Sequence, residues 1–250
     1  LTGCDGARYS TGLSARAQRP RDGRAKSAAA RATRRRSAAR PAPHTSRKEQ
    51  GEITRRAILE AAVALYAEAG ARGTGLMAIG KRAGVHHATV LYHFKSSRDL
   101  LLAVLDERDR RFVAFSQDVL HEGGLAALER LPYVGRFNVE FPVWAKLFTV
   151  LQAENLDPDA EAYDYFACRR NEGREMTLRL LRTAKERGEI RDDADEETVA
   201  DMILAFTAGI NVQYFLDPKR VDMRAAYQRF TAMVIADLTR GVGANRKGKR

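Results

Sequence analysis

From residue 53 onward, apolar residues recur at spacings of three and four, and no stretch alternates with period two well enough to compete. The first such stretch, 53–70, puts Ile58, Ala62, Leu65 and Ala69 on one face. A glycine-containing loop, 71–74, leads to two shorter periodic segments. Leu76, Ile79 and Ala83 mark the first, and Gly84 supplies the left-handed residue that ends it. Val85 fills the corner. A second short helix starts near Ala88, with Val90, Leu91 and Phe94 as its inward side. The small residues Gly80, Ala83 and Ala88 let the two helices cross closely. Ser96, followed three residues later by Asp99, is a capping pattern for a fourth helix that runs through Phe115 to about residue 120.

The rest of the chain also reads as helix. A short one covers 125–131 and is broken by Pro132, after which a short aromatic-bearing segment runs to Glu140. Pro142 fits the first turn of a helix over 142–155. Asp157 and Pro158 read as cap and first-turn proline for a long helix to about Arg187, ended by Gly188. An acidic loop, 192–195, precedes a helix over 196–216, whose Glu196 and Glu197 complement the helix dipole. Asp217 and Pro218 stop it, and Asp222 caps a last helix to about Leu238. No internal repeat is visible. The expected fold is all-α.

The paired short segments carry the chemistry. Their outward positions hold Lys81, Arg82, His86, His87, Thr89, Tyr92, His93 and Lys95, which are basic, polar or aromatic. A short helix presented this way can enter the major groove of DNA while its flanking donors hold phosphates. The pair therefore reads as a helix-turn-helix. The order ILEAA…LY…G…T…I…AGV…T…YHF…S…LL resembles the N-terminal domain of the tetracycline-repressor (TetR) family, closely over about 60 residues. Gly75 stands where that family usually has a Thr or Ser contacting phosphate, Leu91 replaces a frequent Tyr, and Ser97 a frequent Lys. The resemblance implies a three-helix DNA-binding domain over 47–96, with contacts from Thr74, Gly75, His86, His87, Ala88, Thr89, Tyr92, His93 and Lys95. An effector-binding and dimerisation domain is then expected over 97–239, acting on double-stranded DNA as a homodimer.

Charge sharpens this division. Residues 1–46 hold 11 basic and 2 acidic residues, the stretch 47–111 holds 12 and 8, 112–239 holds 15 and 22, and 240–250 holds 5 and none. The net charges are therefore +9, +4, −7 and +5, so the DNA-reading end is basic and the following domain acidic. The first segment is Arg- and Ala-rich and lacks periodicity, which predicts a disordered arm. Tethering to DNA and a transit-peptide-like composition are its other readings. The tail 240–250 is expected to be disordered too. Cys4 and Cys168 supply neither a disulfide framework nor metal-ligand spacing, which suits a reducing cytoplasm. No uninterrupted apolar run approaches the ~18 residues of a membrane span, so no membrane partner is expected.

Other chemistry finds little support. His86, His87 and His93 lack the HExxH spacing and a completing Cys or carboxylate, so no metal site is expected. Gly70, Gly73 and Gly75 form no phosphate loop, no nucleophile motif occurs, and no cofactor or enzymatic activity is expected. Phe141, Trp144, Phe148 and Leu151 form a stripe that is either plain helix core or the wall of a ligand cavity. Tyr163, Phe166 and Arg170 lie on one side of the next helix, with Arg170 better placed to pair with an acid at the edge than to bind a ligand. The domain's −7 charge points to an uncharged, cationic or lipid-like effector rather than a highly charged anion. Met202, Phe206 and Ile210, with Tyr227, Phe230 and Val234, form stripes on the last two helices, and the resemblance implies that these pair with a second subunit. The expected function is a ligand-responsive repressor on a palindromic operator. The alternative is a nucleoid-type protein coating DNA through its basic tails.

Overall fold

The computed structural model describes residues 46–116 and 123–242. The expectations for the arm 1–46, for Cys4, for the end of the fourth helix near residue 120 and for the last eight residues of the tail lie outside these. The described residues from 48 onward form one compact unit. Among the described residues there are ten helices and no strand: α1 (Arg47–Ala69), α2 (Leu76–Ala83), α3 (His87–His93), α4 (Ser97–Ser116), α5 (Leu125–Leu128), α6 (Pro132–Glu140), α7 (Pro142–Glu154), α8 (Tyr163–Glu186), α9 (Glu196–Leu216) and α10 (Met223–Thr239).

Most boundaries follow local chemistry. Gly84 adopts φ 70° and ends α2 as its left-handed cap. The Ser96 hydroxyl accepts the Asp99 N–H at 3.0 Å at the start of α4. Asp195 and Asp222 cap α9 and α10 by accepting from Thr198 and Ala225. Several boundaries differ from the sequence reading, and α5, for one, ends at Leu128 rather than at 131. Helix α1 begins six residues earlier, at Arg47, because polar residues continue it without adding apolar periodicity. Pro132 does more than end a helix, since it opens α6, a regular nine-residue helix. Gly135 explains why that helix matters: a Cβ there would fall 2.4 Å from the Tyr227 ring, so α6 and α10 touch at this point. The long helix α8 starts at Tyr163 rather than at Pro158. The Asn155 side chain donates to the Leu151 carbonyl and accepts the Ala162 N–H, while Asp157 accepts from Asp159. These side-chain bonds hold 155–162 in turns and offer the backbone an alternative to helix.

Two apolar cores result. The first is built on Ile58, Ile79, Val90, Leu100 and Val104, and it continues across residue 97 to Leu147, Leu151 and Phe166 on α7 and α8. The hairpin is thus cemented to the following helices by one core, with α4 common to both. The second gathers Leu128, Leu178, Leu181, Ile203 and Leu238 from α5, α8, α9 and α10.

Helix α9 departs from expectation in one respect. By length and composition it is apolar enough to cross a membrane, yet little of it is buried within the chain. Asp201 in its second turn is held by Arg174 of α8 at 2.9 Å, so the helix also carries an ion-paired flank.

Candidate nucleic-acid interface

The hairpin is assembled around residues too small or too apolar to face water. Ile79 and Val90 are fully buried and Phe94 nearly so. A Cβ on Gly80 would lie 2.8 Å from the Val85 carbonyl oxygen, a backbone atom of the turn, so only glycine lets α2 and the turn come this close. The Val85 N–H donates to the Gly80 carbonyl at 2.9 Å and locks the corner. His86 caps α3, its Nδ1 accepting the Ala88 N–H at 3.3 Å, which requires Nδ1 to be unprotonated. Its ring also packs against His87, centroids 4.4 Å apart.

The face left open carries His86, His87, Ala88, Tyr92 and Lys95, all exposed, with Thr89 and His93 half-buried. Tyr92 is 84% exposed and meets the His93 ring edge-on. Its ring is free to stack and its hydroxyl to donate or accept, which are contacts that bases, sugars and phosphates can meet. Thr74 donates its hydroxyl to the Gly70 carbonyl at 2.7 Å, leaving its oxygen lone pairs for a donor. Gly75 caps α2 with no side-chain bond. Leu91 corrects the sequence reading: it is 40% exposed and belongs to the outward face, because Val90 and Phe94 already fill the inward side of this two-turn helix.

Arg55 was not anticipated. Its guanidinium lies 4.7 Å from the Phe94 ring centroid, which sets a cation from α1 beside the end of α3. Nothing local in the sequence signals this, since the juxtaposition depends on how α1 crosses the hairpin. Met77, also unforeseen, stands exposed on α2.

The hairpin is tied to the rest of the molecule at one further point. Gly70 turns with φ 74° at the end of α1, and the next N–H, of Ala71, donates to Glu154 Oε2 of α7 at 2.7 Å. This carboxylate sits where a Gly70 side chain would be. An open cleft of about 490 Å³ adjoins it, lined by Tyr66, Arg72, Thr74, Ser97, Asp159 and others. Burial, with Glu161 and Glu154 nearby, pushes the Tyr66 hydroxyl up to about 12, so it stays a hydrogen-bond donor.

The aromatic stripe is distributed over several contacts. Phe141 packs on Phe137 and on the edge of Phe115. Trp144 lies half-buried beneath Arg111, whose Cζ is 4.8 Å from the ring. Phe148 lies under Arg108 and against Phe166, while Leu151 is wholly in the first core. Tyr163 is half-buried at the start of α8, and Arg170 is exposed and pairs with Asp201 at 3.4 Å. None of these residues lines the cleft, or a second and apolar cavity of about 100 Å³ among Phe112, Phe115, Val134, Met176, Leu180 and Ile203.

On the last two helices, Met202 is 53% exposed, and Phe206, Ile210, Phe230 and Val234 are half-buried. Phe206 stacks on Phe230 at 3.9 Å within the chain. Tyr227 must be removed from the expected subunit interface: it is fully buried between Phe206 and Gly135 and cannot face a second copy. Val212, Leu216 and Met233 are exposed apolar residues that the sequence reading did not select.

Two family models match the chain: that of the bacterial regulatory proteins, tetR family, over residues 58–104, and that of the BetI-type transcriptional repressor C-terminal domain over 148–239. Together they cover more than half of the chain. The repressor BepR of Brucella suis is 25% identical over 202 residues, covering 76% of this chain and 94% of BepR. The repressor KstR2 of Mycolicibacterium smegmatis is 24% identical over 191 residues, covering 74% and 91%. Among solved structures the fold is shared with SmeT, the repressor of the Stenotrophomonas maltophilia multidrug efflux pump SmeDEF (TM-score 0.62, 23% identity, 76% of this chain and 94% of that one). It is shared also with Bacillus subtilis FadR in complex with stearoyl-CoA (TM-score 0.62, 18% identity, 73% and 98%). The first model spans the hairpin with its glycine turn and buried Ile79, Val90 and Phe94, and the second spans the helices behind it: the chain belongs to the TetR family of helix-turn-helix transcriptional repressors.

Proposed function

We propose that the protein is a homodimeric repressor that holds a palindromic operator and is released from it by a small organic effector. The observation that carries this reading is a pair of unsatisfied surfaces. The hairpin leaves Tyr92, Lys95 and three imidazoles facing outward, and α9 with α10 leaves Met202, Val212, Leu216 and Met233 uncovered. A second copy is the natural cover for the apolar face, since a water-exposed helix as apolar as α9 is otherwise costly. Pairing two copies there sets the distance between two recognition helices, which must be about 34 Å to enter successive major grooves.

In this reading Thr89, Tyr92 and His93 make base or phosphate contacts, His87 and Ala88 lie near base edges, Lys95 and Gly75 meet the backbone, and Thr74 reaches a phosphate by turning its hydroxyl from the Gly70 carbonyl. Arg55 joins the backbone contacts. Relatives of the chain are repressors, and the FadR structure holds stearoyl-CoA, which supports an apolar effector here. The apolar cavity between α4, α6, α8 and α9 is the proposed entry point for it. An effector that binds better to a conformer with the wrong spacing shifts the population off DNA. Such a regulator works in the cytoplasm, where the genome is.

The test is to incubate the full chain with sheared genomic DNA and sequence the retained fragments, with the oligomeric state measured by light scattering. A single palindrome protected by a dimer supports the proposal. Uniform retention would favour a nucleoid-type protein working through its basic termini, and a monomer that still protects the palindrome would remove the role given to α9.

A further inference from the structure

The middle of α4 carries two charged residues that the chain buries, Arg108 and Asp109. The Asp109 carboxylate accepts from Arg108 Nη1 at 3.0 Å and from the Tyr165 hydroxyl at 2.6 Å, and Arg169 Nε lies 3.4 Å away. Arg108 then turns its flat faces to aromatic rings: its Cζ is 4.0 Å from the Phe148 centroid, 4.9 Å from Phe112 and 5.8 Å from Phe137. Its Nε–H is buried and has no hydrogen-bond partner. Burial works against the charged guanidinium and Asp109 works for it. Arg169 is paired in turn with Glu172 at 3.2 Å, so the charges of the cluster balance and what is left open is the Arg108 Nε–H donor.

An orphaned donor on a buried guanidinium is rare in a packed core and calls for an explanation. Its surroundings supply one. Phe112 is common to two environments, lying beneath the guanidinium and lining the apolar cavity. That cavity, at about 100 Å³, is smaller than a working ligand pocket of roughly 300 Å³ or more. Phe112 separates the two, so a ligand that enlarged the cavity on that side would uncover Arg108. We propose that the effector is a monocarboxylate with an apolar body, its chain in the cavity and its carboxylate on Arg108 Nε. This deepens the proposed function and rests on its ligand-responsive reading. It also names the route to DNA, because Arg108 stands on the helix that begins directly after the recognition helix and its turn.

The experiment is calorimetry on the full-length wild-type chain with octanoate, octan-1-ol and octylamine, with Trp144 fluorescence read in parallel. Octanoate should bind at least tenfold tighter than octanol, and octylamine should show no binding. Arg108→Met, which keeps a long apolar side chain against the rings, should abolish the preference for octanoate while leaving octanol affinity unchanged. If the single variant does not fold because Asp109 has lost its pair, the double variant Arg108→Met, Asp109→Asn removes both charges, and Tyr165 can still donate to the new amide. Octanol matching or exceeding octanoate on the wild type overturns the proposal, as does a preference that survives in the variant. Release of the selected genomic fragment by a neutral ligand but not by octanoate would leave the repressor reading standing and this inference refuted. Octanoate binding without any sequence-selective DNA retention would do the reverse.

Discussion

Two faces of this molecule are left open by its own packing, and they differ in what they lack. The outer face of α2, α3 and the turn after them shows His87, Tyr92, Lys81 and Lys95, while the outer face of α9 and α10 shows Met202, Val212, Leu216 and Met233. Both helix pairs bury one side against a core. What differs is the medium that each remaining side fits. Cations and donors are already solvated and gain by exchanging water for phosphate, with counterions released. Aliphatic side chains gain only by leaving water altogether, which requires another apolar surface. In the proposed function the first face meets DNA and the second another copy of the chain, and the two are interdependent, since the second would set the spacing of the first.

The strongest way to break that assignment is to charge the apolar face. Met202→Glu with Val212→Glu should give a monomer by light scattering and cost on the order of 100-fold in operator affinity, because two tethered half-sites become one. A dimer that persists in the double variant would place the interface elsewhere. Next in size are the hairpin positions. Tyr92→Ala and Lys95→Ala should each weaken operator binding about 10-fold with the dimer intact, and Lys95→Ala should lower the salt slope by about one. A gel-shift titration across salt concentrations checks both, and wild-type curves would clear these residues of any role.

Smaller effects should come from the junction between hairpin and body. Glu154→Ala removes the acceptor for the Ala71 N–H and should cost about 1 kcal/mol in chemical denaturation, low for a charge-assisted bond because Glu154 is only part-buried. It should also blunt the release of DNA by effector. Full stability and full response in that variant would show the contact to be incidental. The smallest change sharpens the DNA face. A Cβ at Gly75 meets nothing within 4 Å, and its extended backbone suits any residue. Gly75→Ser should therefore stabilise α2 by a few tenths of a kcal/mol as an N-cap, and give operator binding slightly tighter than wild type. Destabilisation on thermal melting would mean the position is filled in a way the free chain does not show.

How much of this was written in the sequence depends on the distance over which each feature is decided. The glycine turn at Gly84, the Ser96 cap and the Asp195 and Asp222 caps are matters of a few bonds, since one side chain or one backbone angle satisfies N–H groups within four residues. The hairpin is nearly as local, and its outward residues could be named from spacing alone, apart from Leu91 on a helix of barely two turns. Tertiary structure alone decided the rest. Within the charged run from Asp106 to Arg111, Arg108 and Asp109 are buried because Phe148, Phe137 and Tyr165 arrive from three other helices to surround them. Tyr227 looked like an interface residue until Gly135 of α6 made room for its ring. Periodicity states which side of a helix avoids water. It does not state which neighbour covers that side, and burial of a charge or exposure of a leucine is settled only when those neighbours are in place.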